Sequence, residues 1–104
     1  MNEHQPSNLQ QYRRIVEVCL EYLDSRRSIA STIADLEGLI QALEGVSSDL
    51  KNQFLARSGV LEDIYAASLD HPELDLLNVH RERLVAAVTE ILDASRRRAT
   101  VGER

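Results

Sequence analysis

The chain has no tryptophan, one phenylalanine, one lysine, one cysteine and two prolines in 104 residues. A lone Cys19 excludes an internal disulfide framework, and an unpaired thiol suits the cytosol better than an oxidising compartment. No apolar run approaches the roughly 20 residues that a membrane-spanning helix requires. The opening MNEHQPSN lacks a basic start followed by an apolar core, so no signal peptide is expected and the cytoplasm is the simplest location. There is no alternating strand pattern, no internal repeat and no low-complexity tract.

Catalytic groupings are equally scarce. No glycine-rich phosphate loop, nucleophile elbow or serine–histidine–acid set can be assembled. Adjacent acids such as Glu62-Asp63 point about 100 degrees apart on a helix and cannot face one another as a catalytic pair. His4, His71 and His80 form neither an i, i+4 pair nor a Glu-x-x-His element, so no metal site is expected. His80 beside Arg81 and Arg83 invites comparison with phosphotransfer bundles, but the Lys and Gly that follow such a histidine are missing. The arginine clusters Arg26-Arg27 and Arg96–Arg98 lack interleaved aromatics, and the net charge of −5 opposes nucleic-acid binding. The expectation is a non-enzyme without cofactors.

Helical periodicity fills the chain instead. Residues 1–7 are expected to be disordered, with Asn8–Gln11 or Ser7–Gln10 as a capping box. Helix one carries Leu9, Tyr12, Val16, Cys19 and Leu23 at spacings of 3, 4, 3 and 4, widened by Ile15 and Leu20. A buried Cys19 on that stripe acts as a small hydrophobe. After the connection 24–28, helix two places Ile29, Ile33, Leu36, Ile40 and Leu43 on one face, begins at Ser28 or Ser31, and stops at Gly45.

Residues 47–69 read as the central helix, started by Ser47 or Ser48 with Asp49 on the positive helix end. One stripe runs through Leu50, Phe54, Leu61, Ile64 or Tyr65, and Ser68 or Leu69. A second runs through Leu55, Gly59, Glu62, Ala66 and Leu69, with Gly59 read as the point where a neighbouring backbone comes close. Glu62 then either sits at a wet edge, forms a buried pair with an Arg or a Tyr hydroxyl, or serves as a functional acid. Pro72 ends this helix. Leu74, Leu76 and Leu77 form a link, and the last helix, from about Asn78, buries Leu84, Val85, Val88, Ile91 and Leu92. A basic frayed tail is expected over 96–104. These elements predict an all-α protein, an antiparallel four-helix up-down bundle spanning 8–95 as a single domain.

Charge is unevenly spread. From Asp35 to Asp75 nine acids face only Lys51 and Arg57, a balance of −7, whereas the chain from Arg81 onward carries +2. A field of that sign attracts a basic partner. Asp35, Glu44, Asp49, Glu62 and Asp63 are the candidate partner-binding residues.

Two resemblances bear on this. Length, the acidic middle, the Ser28-Ile29-Ala30-Ser31 opening of helix two and the segment Leu61-Glu62-x-Ile64-Tyr65-Ala66 resemble small all-helical bacterial immunity proteins of the colicin D immunity type. That resemblance implies an inhibitor whose acids between Asp35 and Asp75 occlude a basic nuclease site by mimicking phosphates. Leu43-Glu44-Gly45 is similar to the Trp-x-Gly turn of helical hairpins exported by type VII secretion, but the tryptophan is absent and four segments replace two. The expected function is therefore a protein-binding module for a basic protein, of which a toxin domain is one form. The alternative is a self-associating homodimer that uses the stripes of helices one and two.

Overall fold

The computed structural model describes residues 6–102, with helices α1 (Pro6–Leu23), α2 (Ile29–Gln41), α3 (Ser48–Asp70), α4 (Leu76–Val79) and α5 (Arg81–Gly102). A 3₁₀ turn, Pro72–Leu74, links α3 to α4, and no strand occurs among the described residues. The protein is all-α. Among the four long helices, α1 packs on α2 and α5, and α3 packs on the same two helices from the other side; α4 rests on α3 and α5.

Local chemistry explains most of the boundaries. Ser28 caps α2 by accepting a hydrogen bond from the Ser31 N–H at 3.1 Å, and Ser47 caps α3 through the Leu50 N–H at 3.1 Å. Each satisfies one of the orphan donors at a helix start. At the far end of α3, His71 leaves helical geometry (φ −131, ψ 63) because Pro72 follows it. Helix α1 ends in a Schellman motif: the Ser25 N–H bonds to the Tyr22 carbonyl at 3.0 Å and the Arg26 N–H to that of Glu21 at 2.9 Å. The left-handed position is held by Ser25 (φ 60) rather than glycine.

The core is drawn from all four long helices. Tyr12, Ile15, Val18 and Cys19 come from α1, and Ile29, Ile33, Leu36 and Ile40 from α2. Leu50, Phe54, Leu61 and Ile64 come from α3, and Leu84, Val88, Ile91 and Leu92 from α5. The stripe read from sequence on α2 is thus buried, as is the first α3 stripe over Leu50, Phe54, Leu61 and Ile64, whereas at its end Ser68 is half-buried and Leu69 exposed.

Several expectations differ from what is observed. On α1 the buried face includes Val18, while Leu20 is exposed, because α1 lies between α2 and α5 and turns the Ile15–Val18–Cys19 side inward. Val85 is half-buried. Asn8 lies inside α1 and reaches across to the α2–α3 connection instead of capping; the Ser7 side chain of the alternative box is outside the described set. Helix α2 stops at Gln41, so Gly45, although left-handed at φ 69, belongs to the connection.

The second α3 stripe faces outward over Glu62, Ala66 and Leu69, which are exposed, while Leu55 is half-buried against the core. Nothing lies within 4 Å of where a Gly59 Cβ would be, so Gly59 marks no close backbone approach. In place of the frayed tail expected over 96–104, α5 stays helical to Gly102 and buries Ser95 and Ala99; residues 103–104 lie outside the described residues. Of the segment 1–7, only Pro6 and Ser7 are described, as the start of α1.

Candidate protein-interaction surface

The five acids singled out from sequence separate into two groups. Asp35 is neutralised. The Arg27 side chain, 11% exposed, donates to Glu21 at 2.9 Å from Nη2, to Ser31 Oγ at 2.8 Å from Nη1, and to Asp35, tying the end of α1 to α2. Planar guanidinium geometry suits this multiple bridging. Hydrogen bonding from Arg27 holds the Glu21 carboxyl below its ordinary value, and the two carboxylates raise Arg27 in return. Arg27 is therefore committed within the fold, and only Arg26 of that pair, bonded to Asp24 at 2.8 Å, stands out in solvent.

Glu44, Asp49, Glu62 and Asp63 are exposed and form no ion pair among the described residues. Glu44 is positioned by its backbone: Asn8 Nδ2 donates to the Glu44 carbonyl at 2.6 Å, and Asn8 Oδ1 accepts from the Glu44 N–H at 2.8 Å. Asp49 occupies the first turn of α3, where the helix dipole favours a negative charge.

Among the described residues Glu62 has neither an arginine nor a tyrosine hydroxyl as its partner; the group that meets it is Glu37 of α2. The capacity of the two carboxyls to share a proton, partial burial and repulsion from the Glu62 charge raise the Glu37 carboxyl above its ordinary value. Two carboxyl groups thus meet across the α2–α3 seam. Sequence reading missed Glu37 because its position flanks the Ile33–Leu36–Ile40 stripe, and periodicity does not say which acid of the next helix lies opposite.

The remaining chemistry is muted. Burial pushes the Cys19 thiol up to about 12, which keeps it protonated and unreactive. His71 lies 3.6 Å from Glu73 on the surface. Among the described residues no three His, Cys, Asp or Glu side chains converge for a metal, and no helix is long and apolar enough to cross a membrane. A cleft of about 260 Å³ between α3 and α5 has Leu50, Phe54 and Ile91 in its floor. Its rim carries Arg57 paired with Glu90, plus Asp93 and Arg97, so its charges balance.

Compared with protein-family models, curated proteins and solved structures, the chain finds no match.

Proposed function

We propose that the chain is a non-enzymatic helical protein-binding module, an antiparallel four-helix up-down bundle in which α4 is a link, and that its acidic α2–α3 surface engages a basic protein in the cytoplasm. The observation that carries this reading is the exposure of Glu44, Asp49, Glu62 and Asp63 without ion pairs among the described residues, next to a Glu37–Glu62 contact between like charges. A basic partner relieves that repulsion, and complementary charge speeds its encounter. The immunity-type resemblance gives the most concrete form: an inhibitor whose carboxylates stand where a nuclease would take the phosphates of its substrate. The homodimer alternative has little of the α2 stripe to use, since Ile29, Ile33, Leu36, Ile40 and Leu43 are buried within the chain, while on α1 Leu20 is exposed.

The test is affinity capture from the host with the parent chain and with a variant carrying Glu44→Lys, Asp49→Lys, Glu62→Lys and Asp63→Lys. A stoichiometric basic protein that salt releases and the variant fails to hold supports the reading. Equal retention by the variant overturns it. A native mass of twice the chain with no other protein present favours the homodimer.

A further inference from the structure

Among the described residues, three of the four exposed large hydrophobic side chains fall within one short stretch: Leu69 at 62%, Leu74 at 52% and Val79 at 64% exposure. Scattered exposed apolar side chains are ordinary, but a concentration of them next to polar groups marks an interaction site. Here the surrounding charge has a single sign. From Ser58 to His80 there is no Lys or Arg, while Glu62, Asp63, Asp70, Glu73 and Asp75 are all exposed. Among the described residues only Glu73 of these five has a basic side chain in ion-pair reach, His71.

The helical repeat places the α3 members of this segment on one face. On α3, Glu62, Ala66 and Leu69 follow one another at i, i+4 and i+7, and Asp63 and Asp70 run beside them, also seven apart; all five are exposed. Glu62 to Asp70 covers about 12 Å of helix. Past Pro72, the 3₁₀ turn and α4 continue the chain with Glu73, Leu74, Asp75 and Val79, while Leu76 and Leu77 turn partly inward.

We infer that the strip Glu62–Val79 is the docking surface for a basic amphipathic helix of the partner protein, with Leu69, Leu74 and Val79 as its apolar anchors and the acids as its rim. Charge complementarity selects this occupant: an apolar helix face flanked by Lys and Arg satisfies both the apolar anchors and five acids that have no Lys or Arg among them. The inference rests on the acidic-surface reading and places the centre of contact at the α3–α4 end, away from Glu44 and Asp49.

The experiment is a titration of the isotope-labelled full chain, followed by amide NMR shifts, with two synthetic Leu/Lys peptides of about 18 residues. One has Leu at i, i+3, i+4 and i+7, and the other has the same composition in scrambled order. The expected result is that shifts from the patterned peptide concentrate in 62–79, that the scrambled peptide binds more weakly, and that L69S/L74S/V79S loses about tenfold in affinity with its unbound spectrum otherwise intact. Shifts centred on Glu44 and Asp49 leave the acidic-surface reading standing and overturn this inference. So does equal affinity for both peptides, which makes the binding purely ionic. Absence of binding by either peptide removes both. A mass of twice the chain in sedimentation that L69S/L74S/V79S reduces to one makes a second copy the occupant and also overturns the inference.

Discussion

Asn8 and Glu44, 36 positions apart, are joined by a two-way hydrogen bond in which the Asn8 side-chain amide pairs with the backbone N–H and carbonyl of Glu44. Asn8 is fully buried in the first turns of α1, and Glu44 lies in the α2–α3 connection. A loop that leaves a helix has backbone groups without intrahelical partners. An asparagine side chain supplies one donor and one acceptor in the spacing of a peptide unit, so it fastens that loop to the bundle.

Replacing Asn8 with Ala should cost about 2 kcal/mol, since it leaves both Glu44 groups unpaired beside a small void. Asn8→Asp should be destabilising as well, because a carboxylate accepts from the Glu44 N–H but cannot donate to its carbonyl. Urea unfolding of the two variants measures this, and a change below about 0.5 kcal/mol in both would refute the clamp.

Arg27→Lys should not rescue the α1–α2 corner. An ammonium cannot span Glu21, Ser31 and Asp35 as the guanidinium does, so a loss of about 1 kcal/mol at neutral pH is expected. Because Glu21 is held below its ordinary value of 4.5 by Arg27, its stabilising contribution is present above that value and fades as pH falls through the lowered one. The gap between parent and Arg27→Lys should therefore shrink on acidification below pH 4.5. A gap that stays constant down to pH 2 would mean that Arg27 acts through packing alone.

The Glu37–Glu62 contact has the opposite sign. The Glu37 carboxyl is raised above its ordinary 4.5, so the folded state favours the proton and is most stable with respect to this group at low pH. That contribution is lost as pH rises through the raised value. Glu37→Gln should thus stabilise the protein by about 0.5 kcal/mol at neutral pH, as relief of a like-charge contact does. The advantage should close below pH 4.5. Denaturation curves between pH 3 and 8 decide it, and a destabilised Glu37→Gln at pH 7 would contradict the carboxyl contact.

Backbone substitutions give the remaining expectation. Ser25 holds the left-handed position of the Schellman motif at φ 60, where a side chain costs about 1 kcal/mol, so Ser25→Gly should stabilise by up to that amount. Gly38 and Gly59 are helical, and nothing lies within 4 Å of an added Cβ at either. Gly38→Ala and Gly59→Ala should each add about 0.5–1 kcal/mol. Thermal melts test all three, and a lowered midpoint in Gly59→Ala would reveal a close contact there after all.

The part of the fold legible in the sequence was the part governed by neighbours a few residues away. Ser28 and Ser47 announce helix starts, Pro72 announces an end, and the Ile29–Ile33–Leu36–Ile40 stripe announces a buried face. All of these act within one or two turns of the chain. The acidity of the candidate surface was legible for the same reason, as a count along the chain.

What only the tertiary structure decided was which of several plausible faces meets which neighbour. Leu69 carries the spacing of a core residue, yet it is exposed because α3 turns its Phe54–Leu61–Ile64 face toward α2 and α5. Asn8 looked like a local cap and instead bonds 36 residues away, and the partner of Glu62 is another glutamate. Helical periodicity specifies a direction around one axis. The group standing in that direction is set by how the helices pack, through contacts between residues far apart in sequence.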